Sequence, residues 1–396
     1  MLAPYLLTGT VLASDDSMWE KTFQYHGFIT QGLIKTDENR FFGHSDTGSA
    51  ALTEIGINAS SRTSNNILLS AQVLARRAGE MYDGSELDYA LIDYTLSSDA
   101  SKQYGLRLGR FKNPLGLYND TRDVAFTRPS VFMPQTIYFD NLRNAFLSND
   151  GLLFYSDFWG ESSNFDFQIG IGKTPVDVNM EYALIGEDIP GNIDDEDLTI
   201  VSRLLYEYNS LKLAVSYANT SFKMHGTDPV LVGDGTFEVD IWIASLQYFI
   251  DDWTLTTEWA QQPIEWRDFS SFYPAGTSGK FTASGYFVQG SYQFKPNWEI
   301  LLRYEEGYAD KSDKDGTKRS AALASIPPPF TIISPPHNYF TKDWVIGTRW
   351  DVTNRFMLRA EFHSVEGTYI LSRRENDTAT TVKDWNLFSI LASYRF

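Results

Sequence analysis

The sequence predicts an all-β chain that forms a 16-stranded antiparallel transmembrane β-barrel. Three observations carry this expectation. Period-two alternation of apolar and polar residues recurs down almost the whole chain, with little helical periodicity. The connections between alternating segments are short and long in turn. No segment reaches the ~18 consecutive apolar residues of a membrane helix.

The alternation is clearest in "NLFSILASYRF", residues 386–396. Phe388, Ile390, Ala392, Tyr394 and Phe396 fall on one face, and Leu387, Ser389, Leu391, Ser393 and Arg395 on the other. Side chains of a strand alternate between its two faces, so one face here is wholly apolar. The same reading holds for Phe165/Phe167/Ile169/Ile171, Trp298/Ile300/Leu302/Tyr304 and Trp344/Ile346/Thr348/Trp350. Strands are expected near 23–34, 52–60, 67–77, 87–96, 103–111, 151–158, 164–172 and 197–208. A further eight follow near 211–219, 238–249, 253–263, 282–294, 298–308, 340–351, 356–365 and 384–396.

Tight connections include "YNSL" at 208–211, "IDDW" at 250–253 and "FKPNW" at 294–298. Long ones cover about 35–51, 112–150, 173–196, 220–237, 264–281, 309–339 and 366–383, and a shorter one covers 78–86. Outer-membrane barrels alternate short periplasmic turns with long extracellular loops. A soluble β-protein would leave that alternation unexplained. Aromatic residues beside the turns, Tyr208, Trp253, Trp298 and Phe356, suit a lipid–water boundary. The apolar faces are therefore expected to meet lipid.

The chain of 396 residues has no cysteine and a formal net charge of −18. That excludes disulfide scaffolds and thiolate metal sites, and argues against nucleic acid as a partner. The acids cluster between strands, as in "GEDIPGNIDDEDL" at 186–198, where solvated loops are expected. Residues 1–13 resemble the remnant of a secretory signal with a small-residue cleavage site after Ala13, though without a positive leading region. Residues 14–396 then form a single barrel domain.

Sixteen strands enclose a lumen too wide for wall side chains to fill, so a water channel is the default. The third long connection, about 112–150, carries Pro114, Pro129 and Pro134. It also has the apolar stretches Val131-Phe132-Met133 and Ile137-Tyr138-Phe139. A long loop with its own apolar content packs on something, and this one is expected to fold inward and narrow the lumen. It and its edge hold Arg110, Lys112, Arg122, Arg128 and Arg143 with Asp120, Asp123 and Asp140. Inward parity on the wall adds Arg76, Arg107, Arg203, Arg303, Arg349 and Arg359, faced by Glu54, Glu258 and Glu361. Rings of arginine favour anions, and guanidinium binds carboxylate or phosphate in bidentate fashion. The alternative is that these arginines pair with Asp120, Asp123 and Glu361 to hold the loop, leaving a balanced field.

The entrance to this loop resembles a known family. "LRLGRFKNPLGLYNDTRDVAFTRPS", residues 106–130, is similar to the Gly-x-Phe-Lys-x-Pro-Phe-Gly segment of phosphate-selective porin O/P-like outer-membrane proteins. The matching residues are Gly109, Phe111, Lys112, Pro114 and Gly116, with Leu115 in place of the usual phenylalanine. The resemblance covers about 25 residues and, beyond them, only the barrel pattern and the terminal Phe396. It implies a homotrimeric porin of the Gram-negative outer membrane with an anion-attracting constriction, and Lys112 as a lumen-side base. The family's phosphate-binding lysines find no match in this arginine-rich segment. On this reading the partners are small anionic or hydrophilic solutes, outer-membrane lipid and lipopolysaccharide, and no cofactor is implied.

Two other function classes are weighed. A barrel enzyme needs a Ser/His or Asp/His constellation. His26 and His363 are the histidines on inward faces, and neither lies in a defensible spacing to a serine. A carboxylate or serine within reach of either would favour catalysis. A receptor or sheath would use "ASIPPPFTIISPPHNYF", 324–340, as a docking loop. The acidic run 194–197 lacks the spaced ligands of a calcium loop.

Overall fold

The computed structural model describes residues 23–184, 191–195, 197–226, 233–269, 278–326 and 332–396. The expected signal remnant, residues 1–13, lies outside them, as do parts of the 186–198 and 324–340 segments.

Among the described residues the strands are β1 (Phe23–Thr36), β2 (Ser49–Arg62), β3 (Ile67–Ala78), β4 (Tyr82–Ser98), β5 (Lys102–Lys112) and β6 (Ser148–Trp159). There follow β7 (Ser163–Lys173), β8 (Gly191–Asp195), β9 (Thr199–Tyr208), β10 (Leu211–Gly226), β11 (Asp234–Ile250) and β12 (Trp253–Arg267). The last are β13 (Gly279–Lys295), β14 (Trp298–Tyr308), β15 (Phe340–Asp351), β16 (Phe356–Gly367) and β17 (Asp384–Arg395). Each pairs antiparallel with its neighbours, and β1 pairs with β17, which closes the sheet. β8 and β9 both pair with β10, one beyond the other, so they occupy one lane. The wall therefore has the sixteen expected lanes.

Closure explains the terminal phenylalanine. Gly27 donates to the Phe396 carbonyl at 3.0 Å and Phe396 donates back to Gly27 at 2.9 Å. A Cβ at Gly27 would lie 2.4 Å from the tip of the Phe396 ring, so a side chain there has to displace the ring where it crosses β1. An edge left open in lipid would strand backbone donors and acceptors.

The apolar faces point out. Leu302 is 54% exposed and Ile346 is 60% exposed, while their sequence neighbours Arg303 and Val345 are buried inside. Rings pair along the outer face near the short turns, with Trp298 stacked on Trp350 at 5.1 Å and Trp253 on Tyr292 at 4.6 Å. A second level comprises Tyr217 with Trp242 and Tyr304 with Trp344. An apolar band between two aromatic belts is the surface of a barrel that spans a bilayer.

Several strands run past their expected ends. β10 and β11 continue as a paired ribbon from Ser221–Glu238 to His225–Asp234, which shortens the expected 220–237 loop. The 78–86 connection shrinks to a tight turn, with Gly79 at φ +57°. Glu375, in the loop before β17, accepts hydrogen bonds from the backbone N–H groups of Phe42, Gly43 and Glu80. That carboxylate ties the last loop to the first loop and to the Gly79 turn.

Candidate functional site

The segment between β5 and β6 folds into the lumen, as its apolar content predicts. Phe111, Leu115, Met133, Ile137 and Tyr138 join a buried cluster with inward wall residues such as Val201, Ala218 and Phe287. Ala125, Phe126, Val131 and Phe132 join a second cluster with Leu52, Met357, Leu387 and Leu391. Phe132 meets the ring of Phe41 edge-on at 5.1 Å. The loop thus has apolar anchors on both sides of the barrel.

Between those anchors the loop is held by charge. Glu54 on the wall accepts from Arg76 at 3.3 Å and from Arg128 of the loop at 2.5 Å. Asp140 of the loop pairs with Arg76 at 3.2 Å and Arg122 at 3.1 Å. Asp123 pairs with Arg143 and Lys112, and Lys112 also reaches Asp88. Arg203 pairs with Asp120 at 3.2 Å and donates to the Gly116 carbonyl. Arg303 pairs with Glu305 and donates to the Ser130 hydroxyl at 2.6 Å. Wall carboxylates also take loop backbone donors: Glu361 accepts from Val131, Glu305 from Thr136, and Glu258 from Leu117 and the Tyr138 hydroxyl. Buried charges persist best when paired, and the loop charges Arg122, Asp123, Arg128, Asp140 and Arg143 each have an ion-pair partner.

Most of the expected constriction residues therefore converge, but as latches. Arg122, Arg128, Arg143, Arg203 and Arg303 are buried. Inward acids are more numerous than Glu54, Glu258 and Glu361, because Asp88, Asp93, Asp166, Glu305 and Asp343 also face in. The expectation of a few acids against many bases fails here. Alternation on polar faces does not reveal which carboxylates sit at the loop's depth.

Arg110 is a correction. It shares the outward parity of Leu108, which is 57% exposed, and makes a bidentate pair with Asp150 at 2.7 and 2.6 Å. Its strand partner Asp150 has the parity of the exposed Leu152. Arg110 belongs to the outer face, and its place beside the loop in sequence is misleading.

Two arginines, Arg349 and Arg395, stay partly exposed on the short-turn side of the loop, beside the buried Arg359. Arg349 and Arg359 are direct cross-strand partners. Arg349 lies over the Phe126 ring at 5.9 Å and donates to the Phe126 carbonyl at 3.2 Å. Arg395 covers the same ring at 4.3 Å. Arg359 donates to the Arg128 carbonyl at 2.8 Å. The neighbouring acids are Asp351, 3.0 Å from Arg349, and Glu299, its cross-strand partner. Arg395 was not among the expected residues, although its inward parity in the last strand was readable. Across the lumen, Arg107 pairs with Asp93 at 3.0 Å and lies over the Tyr155 ring at 4.7 Å.

His363 does have a carboxylate in reach: Nδ1 is 2.7 Å from Asp343, and Nε2 is 3.4 Å from Glu361. It is buried against Phe132, edge to face at 5.8 Å. No serine or threonine hydroxyl bonds it among the described residues. His26 is exposed near the short-turn end.

No family model matches the sequence, and no curated protein sequence matches it. Solved structures do match. An anion-selective porin from Comamonas acidovorans superposes with a TM-score of 0.58 at 12% identity, over 95% of this chain and 99% of that one. The trimer form of OmpT of Vibrio cholerae gives 0.57 at 10% identity, over 95% and 99%. The outer-membrane channel DcaP of Acinetobacter baumannii gives 0.56 at 12% identity, over 94% and 97%. At such identities the likeness is one of fold. The chain has the barrel architecture of outer-membrane porins; the narrower resemblance of residues 106–130 to porins O and P has no matching family model behind it.

Proposed function

We propose that this protein is a passive diffusion channel for small hydrophilic solutes with a preference for anions. It resides in the outer membrane of a Gram-negative bacterium. The observation that carries the reading is the 113–147 loop latched across the lumen of a closed, lipid-facing barrel. The buried arginines hold it in place. Selectivity falls to the patch around Phe126, where the partly exposed Arg349 and Arg395, with the buried Arg359 paired across from Arg349, face Asp351 and Glu299.

The porin O/P-like motif supports the channel role but not phosphate as the solute. A homotrimer is supported by the outer faces of β3 to β6, whose upper parts carry Ala75, Arg77, Asp83, Ser85, Arg110 and Asp150 in place of aromatics. Charges on that face are better placed against a second copy than in lipid.

The test is the reversal potential of the purified protein in a planar bilayer under a salt gradient. Anion preference is expected. A charge about 8 Å from a permeating ion in water changes its energy by roughly 0.5 kcal/mol, so removing Arg349 or Arg395 should lower the permeability ratio by up to about twofold. Cation selectivity would sink the arginine patch as the filter. Absence of conductance would shift weight to an enzyme reading, for which the His363–Asp343 pair is the one specific observation.

A further inference from the structure

At the long-loop end, inside the mouth, lies a recess of about 120 Å³. It shares no lining residue with the arginine patch at Phe126. Its walls are aromatic: Trp266 and Phe281 from the strands, 5.8 Å apart, face Phe139 of the inward loop, which stacks on Tyr369 at 5.6 Å and 14°. That volume is close to the ~150 Å³ apolar cavity that takes up one benzene ring.

Two features make it more than an apolar gap. Arg319, on the helix Thr317–Ala324, holds its guanidinium over Phe281 at 4.9 Å and over Tyr339 at 5.5 Å. Among the described residues it makes no ion pair, unlike the latch arginines. Tyr339 lines the same recess, and its hydroxyl is buried and has no hydrogen-bond partner among the described residues. A buried unpaired hydroxyl is costly, and a small rearrangement that turned it toward an anion in the recess would satisfy it. Arg373 also lines the recess.

The asparagine amides around the recess are already committed, and Gln262 also lines it. Asn338 bonds Thr378 and receives bonds from Thr368 and Thr381; Asn376 bonds Arg40; Asn179 receives a bond from Arg374. A sugar would need such groups free to meet its hydroxyls. The recess then offers ring faces, the Arg319 guanidinium, the Tyr339 hydroxyl and a single amide, that of Gln262.

We propose that this recess binds a small aromatic carboxylate, of the benzoate class, with its ring among Trp266, Phe281 and Phe139 and its carboxylate on Arg319 and Tyr339. The ring supplies stacking and the anion engages a charge-assisted bond in a partly desolvated site. Such a site at the mouth would concentrate the anion ahead of the constriction.

The experiment is calorimetric and fluorescence titration of the detergent-solubilised protein with benzoate, acetate, inorganic phosphate and benzyl alcohol. Benzoate should bind saturably, and each of the other three should bind at least about tenfold more weakly, the worth of one charge-assisted hydrogen bond or one buried ring. Arg319→Gln should weaken benzoate by a similar factor, and Tyr339→Phe, which removes only the hydroxyl, by a smaller one. Trp266→Phe should abolish the fluorescence change. Arg319 lies on a short surface helix, and retention of the heat-resistant folded band would show the variants are intact. Equal binding of phosphate, or unaltered benzoate binding in Arg319→Gln, would overturn the proposal. No conductance enters the readout, so benzoate binding survives if the channel reading fails, and the channel reading survives if benzoate does not bind.

Discussion

Leu302 and Arg303 are neighbours on β14 and face opposite solvents. Leu302 is 54% exposed toward the outside, and Arg303 is 1% exposed within. The outer face is held against lipid by apolar and aromatic side chains, each replaceable by another of similar size. The inner face of the loop-bearing half is held by charges that must be matched one to one. The first kind of surface tolerates error because lipid is uniform. The second does not, because a buried charge without its partner has no water to fall back on. Stability of the wall and position of the loop are therefore separable, and substitutions should separate them.

The largest effect is expected at Glu54, which serves Arg76 and Arg128 together. Glu54→Gln leaves Arg128 without its carboxylate and should cost about 3–5 kcal/mol, measured by denaturant unfolding in detergent. Single-channel records should show larger, noisier openings as the loop comes loose. A loss under about 1 kcal/mol with quiet openings would mean the apolar anchors alone hold the loop.

Next is the seam. Gly27→Val places a side chain into the Phe396 ring and should cost about 1–3 kcal/mol through overpacking. The check is the temperature at which the folded band is lost on a heat-modifiability gel. Adding Phe396→Ala to Gly27→Val should cause no further loss if the ring clash is the cause. The loop and its selectivity should be unchanged in whatever fraction folds.

The smallest effect belongs to the outer face of the wall. Arg110→Gln breaks a pair whose side chains are 24% and 49% exposed, and should cost less than about 1 kcal/mol in the isolated monomer. It should leave the reversal potential where it was. A shift in that potential would return Arg110 to the lumen and overturn the division between the two faces at this strand.

Much of the wall was legible because a strand has a two-residue period and lipid is apolar everywhere along it. All sixteen lanes lie where alternation put them, and most boundaries moved by only a few residues. The exceptions have local causes. The ribbon of β10 and β11 extends because cross-strand hydrogen bonds continue beyond the lipid band, where the outward face no longer needs to be apolar. The Gly79 turn is tight because Glu375, almost three hundred positions later in sequence, caps its backbone. Neither signal is present in a short window of residues.

The site was legible only by type. That residues 112–150 would turn inward followed from apolar stretches that water would not tolerate, and they pack on both sides of the lumen. That its arginines would be latches rather than a free ring did not follow. Arg122 finds Asp140 from 18 positions away, and Arg128 finds Glu54 from 74. Arg110, two residues before Lys112, ends on the other side of the wall.

By itself, then, the sequence determined strand number, the direction each face points and the loop that enters the lumen. Those depend on periodicity and on the contrast between lipid and water, which act on every residue alike. Only the tertiary structure decided which charges cancel, which arginines remain near the pore, and that a recess with an unpaired hydroxyl opens at its mouth. Charge pairing falls off within a few ångströms and is set by closure of the barrel, which brings residue 54 to residue 128 and residue 319 to residue 339.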